Sequence, residues 1–110
     1  MTPEGKTKKR ITDLLKKYGI YYYMPVSNGM GAPALDYIVC HKGRFLSIEA
    51  KAWGTKKDMT DRQKHTAKRI MEAGGLVFMV RDEESLERLD HWLVKLKLIG
   101  EHHERVSIGS

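Results

Sequence analysis

Cysteine is nearly absent from this chain: Cys40 is the only one in 110 residues. That excludes a disulfide within the chain and any zinc site built from several cysteines, and a reducing, intracellular setting fits best. No apolar run approaches the roughly 20 residues needed to cross a membrane. The basic opening segment MTPEGKTKKR has no apolar stretch behind it and does not read as a secretory signal. Internal repeats, low-complexity tracts and long linkers are missing. So is a basic amphipathic helix with exposed Trp or Phe, which argues against a membrane partner. The composition that is present, 41% hydrophobic and 31% charged, is too apolar for disorder and suits one domain with a small core. We expect that domain over residues 1–99 and a polar, frayed tail over 100–110.

Acidic residues are scarce in the first two-thirds of the chain. Residues 1–69 hold 15 Lys and Arg against 6 Asp and Glu, whereas residues 70–110 hold 5 against 8. The net charge is +6, and its uneven spread suggests a face built for a polyanion. A well-solvated basic surface accounts for the same numbers, so charge alone leaves nucleic acid at even odds.

The patterning predicts a first helix over residues 3–18. Thr2 caps it, Pro3 suits its first position, and Gly19 ends it. Ile11, Leu14, Leu15 and Tyr18 form its apolar stripe, with Lys6, Lys9, Arg10, Lys16 and Lys17 off that stripe. Residues 20–26 read as a strand and 27–33 as a turn-rich loop. Residues 35–40 and 45–51 read as a hairpin turning at Lys42-Gly43. A polar loop over 53–59 leads to a helix over 61–73 that stops at Gly74-Gly75, then to a strand over 76–80. A last helix starts near Asp82, with Leu86, Leu89, Leu93 and Leu96 at spacings of three and four. The order α-β-β-β-α-β-α predicts an α/β fold: a mixed central sheet flanked by helices, with a right-handed crossover and an added C-terminal helix.

The hairpin carries the chemistry. A turn centred between Lys42 and Gly43 sets Cys40 opposite Phe45, Ile38 opposite Ser47 and Asp36 opposite Glu49. Opposed side chains share a face with Cβ atoms about 5 Å apart. Two carboxylates so placed repel unless something neutralises them, and a hard divalent cation held by oxygen ligands does so. Lys51 shares the face about 7 Å further along, where its ammonium can orient water or stabilise charge on phosphate. The Ala50 carbonyl is a further candidate ligand. Spacing alone leaves a second reading equally open, a surface ion pair on an exposed sheet face.

Two more residues are ambiguous. Glu4 is seven residues before Ile11, only about 20° from it around the helix, so it points toward the core side. An acid favoured by the helix dipole explains it at least as well. Gln63 completes a capping box with Thr60, yet also lies on the stripe continuing to Ala67, Ile70 and Met71, and both roles are compatible.

Together, TPEGKTKKRITDLLKK, GAPALDYIV, GRFLSIEAK and MTDRQKHTAKRIMEAGGLVFMV resemble the VRR-NUC domain, a branch of the PD-(D/E)XK nucleases seen in short stand-alone phage and bacterial proteins. The resemblance spans residues 2–80. It implies a restriction-endonuclease-like αβββαβ core and a Mg²⁺- or Mn²⁺-dependent endonuclease acting on DNA inside a bacterium or phage-infected cell. It implies Asp36, Glu49 and the Ala50 carbonyl as metal ligands, and Glu4 as completing the shell. Lys51 would position the attacking water, with Gln63 in support. Stand-alone members resemble Holliday-junction resolvases, which implies a homodimer on branched or four-way DNA. The family's proline and aspartate are usually adjacent, whereas Pro33-Ala34-Leu35-Asp36 separates them here. For holding the DNA backbone, Lys6, Lys9, Arg10, Lys56, Lys57, Arg62, Lys64 and Lys68 are the candidates. A rival of another class is a catalytically silent DNA-binding module on the same fold.

Other residues read as structure. Alternate members of Tyr21, Tyr22 and Tyr23 are expected in the core, although they could stack on bases. The leucines of the last helix suit the core or a dimer seam. Cys40 is expected to be a small buried hydrophobe, and His41 and His65 to be solvated, although His65 could touch phosphate. Trp53 is placed at the edge of the site. His102 and His103, adjacent on the tail, do not suit convergence on one ion.

Overall fold

The chain reverses direction at Lys42-Gly43, where both residues adopt positive φ, 50° and 80°. This is the two-residue turn whose twist matches paired strands, and glycine takes its second position without a Cβ penalty. The strands it joins are β2, Tyr37–His41, and β3, Arg44–Ala50. They pair antiparallel as Tyr37 with Ile48, Ile38 with Ser47 and Cys40 with Phe45, the register expected from the sequence. The computed structural model describes residues 1–26 and 31–100. The expected loop over 27–33 therefore falls partly outside the described residues, and most of the expected tail, with His102 and His103, falls wholly outside them.

Four further elements precede the last helix or build around the hairpin. Helix α1, Pro3–Lys17, has the Thr2 hydroxyl accepting from the Gly5 N–H and proline in its first turn. Strand β1 is Tyr21–Tyr23, helix α2 is Asp61–Glu72 and strand β4 is Leu76–Val80. Helix α3 spans Glu83–Gly100 and so takes in the first residue of the expected tail. The strand order is β1-β2-β3-β4, with β1 and β2 antiparallel to their neighbours in the hairpin and β4 parallel to β3. The sheet is therefore mixed, and α2 is the crossover between its two parallel strands.

Strand parity divides the sheet into two unlike faces. Tyr37, Val39, Leu46, Ile48, Ala50 and Val80 are buried and form one core cluster with Ile11, Leu15, Leu86, Leu89, Leu93 and Leu96 from α1 and α3. The opposite face carries Ile38, Cys40, Phe45, Ser47 and Glu49, and α2 covers only part of it. This asymmetry corrects two expectations and sorts the three tyrosines. His41 is buried, not solvated, because it shares the core-side parity of Tyr37 and Val39, and its Nε2 meets the Leu93 carbonyl at 2.8 Å. Cys40 points the other way and is exposed. Of the three tyrosines only Tyr22 packs against the core, while Tyr21 and Tyr23 lie on the open face.

The Tyr37 hydroxyl ties α1 to the sheet, donating to the Lys8 carbonyl at 2.9 Å and lying 2.8 Å from the Thr12 hydroxyl. Tyr37→Phe is expected to lower stability by about 1–3 kcal/mol, because it strips partners from groups at a buried helix–sheet contact. Leu89→Ala should cost more, about 2–5 kcal/mol, by opening a cavity in the core. Urea denaturation of the two variants checks both the order and the magnitudes.

Candidate active site

At the end of β3 the sheet holds a carboxylate that its surroundings disfavour. Glu49 is only 4% exposed. Burial, and then the neighbouring Asp36 carboxylate, push its carboxyl up to about 7, with the Lys51 ammonium opposing them. Asp36 lies just before the first ladder pair of β2, where that strand leaves β3. Its Oδ2 accepts from the Ala50 N–H at 2.8 Å. The Lys51 N–H bonds the Val80 carbonyl of β4 at 2.9 Å, so the preceding Ala50 N–H points to the β2 side. There the Asp36 side chain stands in for the backbone acceptor that the diverging strand no longer offers. The carboxylate is thus fixed at the hairpin's open end, close beside Glu49.

Gln63 organises the positive side of the site. Its Nε2 donates to Glu49 Oε2 at 2.9 Å, and its Oε1 accepts from Lys51 Nζ at 2.6 Å and from the Thr60 N–H at 3.0 Å. The amide orientation follows from its partners, since the reverse would set an NH₂ against an ammonium and an N–H. Lys51 Nζ lies 3.8 Å from Glu49 Oε2. The Thr60 hydroxyl accepts from the Gln63 N–H, which completes the capping box. One glutamine therefore starts α2 and orients the Glu49–Lys51 pair, so its two anticipated roles coexist.

The sequence reading overlooked Lys8 and Thr7. Lys8 Nζ lies 3.8 Å from Asp36 Oδ1 and 3.6 Å from Glu4 Oε1, which sets an ammonium between the two carboxylates. Glu4 is itself about half exposed. Among the described residues no group of three His, Cys, Asp or Glu side chains is arranged to hold a metal ion. Asp36 and Glu49 are brought together, and Glu4 is joined to them only through Lys8. The i,i+4 spacing of Glu4 and Lys8 was the available signal. Buried Thr7 donates to the Lys51 carbonyl at 2.6 Å, and the Trp53 N–H bonds the Pro3 carbonyl at 3.1 Å. These contacts clamp the start of α1 to the end of β3, a long-range pairing without a local sequence mark.

The anticipated DNA-contacting cations are scattered over α1, α2 and the loop between β3 and α2. Lys6 and Arg10 lie over the Trp53 ring, 5.7 and 4.8 Å from its centre. Arg10 also pairs with Glu83 at 2.8 Å, Lys9 with Asp13 at 2.8 Å and Lys64 with Asp58 at 3.3 Å. Lys56, Lys57, Arg62 and Lys68 are exposed and have no carboxylate partner among the described residues. A cavity of about 400 Å³ lined by Asp36, Arg62, Gln63 and Thr66 opens beside the carboxylates. The donor set suits a hard cation: two adjacent carboxylates, one of them holding its proton more tightly than usual because of burial and its neighbour, gain most from a multivalent charge bound through oxygen.

No protein-family model matches the sequence, and no curated protein matches it. Among solved structures the chain is similar to one described as "VRR_NUC domain", with a TM-score of 0.71 and 21% identity over 83% of this chain and 97% of that one. The chain thus has the VRR-NUC domain fold, with the restriction-endonuclease-like α/β core and an added C-terminal helix.

The buried Glu49 should leave a signature in stability. A carboxyl that holds its proton more tightly folded than unfolded favours the fold at low pH and loses that advantage as pH rises. From an ordinary value of 4.5 to one of about 7, the cation-free protein is expected to lose up to about 3 kcal/mol between those two pH values. Glu49→Gln should flatten that dependence. Chemical denaturation across the same pH range in EDTA measures it.

Proposed function

We propose that this chain is a divalent-cation-dependent nuclease that hydrolyses phosphodiester bonds in DNA, acting as a homodimer on branched or four-way DNA. The observation that carries the reading is the meeting of Asp36, Glu49 and Lys51 on one sheet face, with Gln63 bonded to both Glu49 and Lys51. The VRR-NUC fold supports it. Asp36, Glu49 and the Ala50 carbonyl would hold Mg²⁺ or Mn²⁺, with Glu4 reaching it through water. When bound, the ion supplies positive charge at the scissile phosphate and a water acidified toward neutral pH.

The chain's own residues supply the rest. Gln63 holds the Lys51 ammonium in place, where it orients the attacking water and stabilises charge developing on the phosphate oxygens. Lys8 balances Asp36 and keeps its second oxygen on the site side of α1. Lys6, Lys9, Arg10, Lys56, Lys57, Arg62, Lys64 and Lys68 hold the DNA backbone without reading its sequence. Substrate choice then follows from shape, because a two-fold pair of sites matches a two-fold junction.

Asp36→Asn and Lys51→Ala are each expected to lower cleavage by about 100-fold or more while leaving salt-sensitive DNA binding close to wild type. The measurement is a gel assay on four-way, flapped and linear DNA with Mg²⁺, Mn²⁺ or EDTA. Cleavage that survives either substitution would show that the centre is misassigned. Salt-sensitive binding with no turnover in either metal would mark a catalytically silent binding module instead.

A further inference from the structure

A second cavity on the carboxylate face, of about 550 Å³, takes no part in the chemistry above. Its floor is Phe45, which shares the parity of Glu49 four residues further along β3 and so lies about 13 Å from it. Phe45 is 45% exposed, although it sits within a strand. Ile70 of α2 and Ala73, its C-cap, make one wall. The wall closes because residue 75 is glycine: a Cβ there would meet Ile70 Cγ2 at 2.7 Å and Phe45 Cδ1 at 3.0 Å.

Charge around this cavity has one sign. Arg44, His65 and Arg69 line it, and among the described residues no acidic side chain does. Arg44 donates one bond to the Gly74 carbonyl at 3.2 Å, and neither arginine has an ion-pair partner among the described residues. Ala32, Pro33 and Thr66 line both this cavity and the one beside Asp36 and Gln63. The two cavities therefore adjoin.

An aromatic floor, an apolar wall and a rim with two arginines complement a flat, apolar-faced anion. The wall shared with the cavity of Asp36 and Gln63 sets that ligand beside the candidate cleavage site. We infer that the Phe45 cavity receives one unpaired nucleotide of the bound DNA, its base stacked on Phe45 and its phosphate against Arg44, His65 and Arg69. The inference rests on the nuclease reading of the neighbouring site. A base within a duplex has both faces covered, so only an unpaired or extruded one can offer a face to the ring. At 3.4 Å per step of a stacked strand, the pocket lies roughly four nucleotides or fewer from the scissile phosphate. A gap or flap supplies an unpaired base at that distance, a four-way junction does so only where a pair at the branch point opens, and an uninterrupted duplex does not.

The test is binding in EDTA, so that it does not depend on hydrolysis. Gapped or flapped DNA carrying 2-aminopurine at single unpaired positions is compared with the matched full duplex, by fluorescence and by competition. The wild type should bind the DNA with unpaired bases more tightly and change the 2-aminopurine signal at one or two positions. Phe45→Ala should weaken that binding about five- to a hundredfold, the loss of one base–aromatic stack, with little change for the duplex. Phe45→Leu keeps apolar volume without a flat ring and should fall with it, while Arg69→Ala should weaken binding without removing the fluorescence change. An unaltered ratio of the two affinities in both Phe45 variants overturns the inference. So does a change of molecular mass in solution on Phe45→Ala with DNA preference kept, which would assign the groove to a second copy of the chain. Phe45-dependent binding by a protein that never cleaves would uphold the pocket and refute the nuclease reading alone.

Discussion

The arrangement of this molecule turns on keeping two carboxylates close together, one of them buried where water screens it poorly. Glu49 is buried in a central strand and Asp36 stands beside it. An ionised pair in such a position is unfavourable, and burial and the neighbouring carboxylate raise Glu49 above the usual carboxylate range. The neighbouring contacts read as means of holding that pair. The Ala50 N–H fixes Asp36, Gln63 fixes Glu49, and Lys8 and Lys51 set an ammonium on either side. A surface ion pair needs none of this machinery. Costly charges with their hydrogen bonds in place are the observation on which the proposed cation site rests.

That site is assembled from three segments far apart in sequence. The hairpin contributes the carboxylates, the start of α2 contributes Gln63, and the start of α1 contributes Lys8 and Thr7. Helix starts converge on the open end of the sheet, where backbone N–H groups and the helix dipoles favour anions. The opposite sheet face is closed by α1 and α3 around an apolar core. The molecule is thus packed on one face of the sheet and has cavities on the other. For a polyanion partner this division matters, because tight positioning of a phosphate requires the groups that meet it to sit on elements packed from behind.

Much of the fold was legible because it depends on local periodicity. The leucine spacing of α3, the Thr2-Pro3 start of α1 and the Thr60–Gln63 box of α2 each specify an element within one or two turns. The Lys42-Gly43 turn then sets the hairpin register, and with it the nearness of Asp36 to Glu49. Gln63 could be given two roles from its position alone. Burial of single residues was less legible. Cys40 and His41 were assigned the wrong environments, because parity along β2 is fixed by which face α3 covers, and residue type does not carry that information.

By itself, therefore, the sequence determined the elements, their order and the hairpin pairing, since these follow from propensity, capping and turn geometry acting over a few residues. Tertiary structure alone decided which sheet face is closed and which is open, that Lys8 stands between Glu4 and Asp36, and that Thr7 and Trp53 bind α1 to the end of β3. It also decided that Gly75 lets Phe45 and Ile70 close on a cavity with arginines at its rim. Those outcomes depend on distances between segments dozens of residues apart, which are fixed only when the packed helices and the sheet exclude water together.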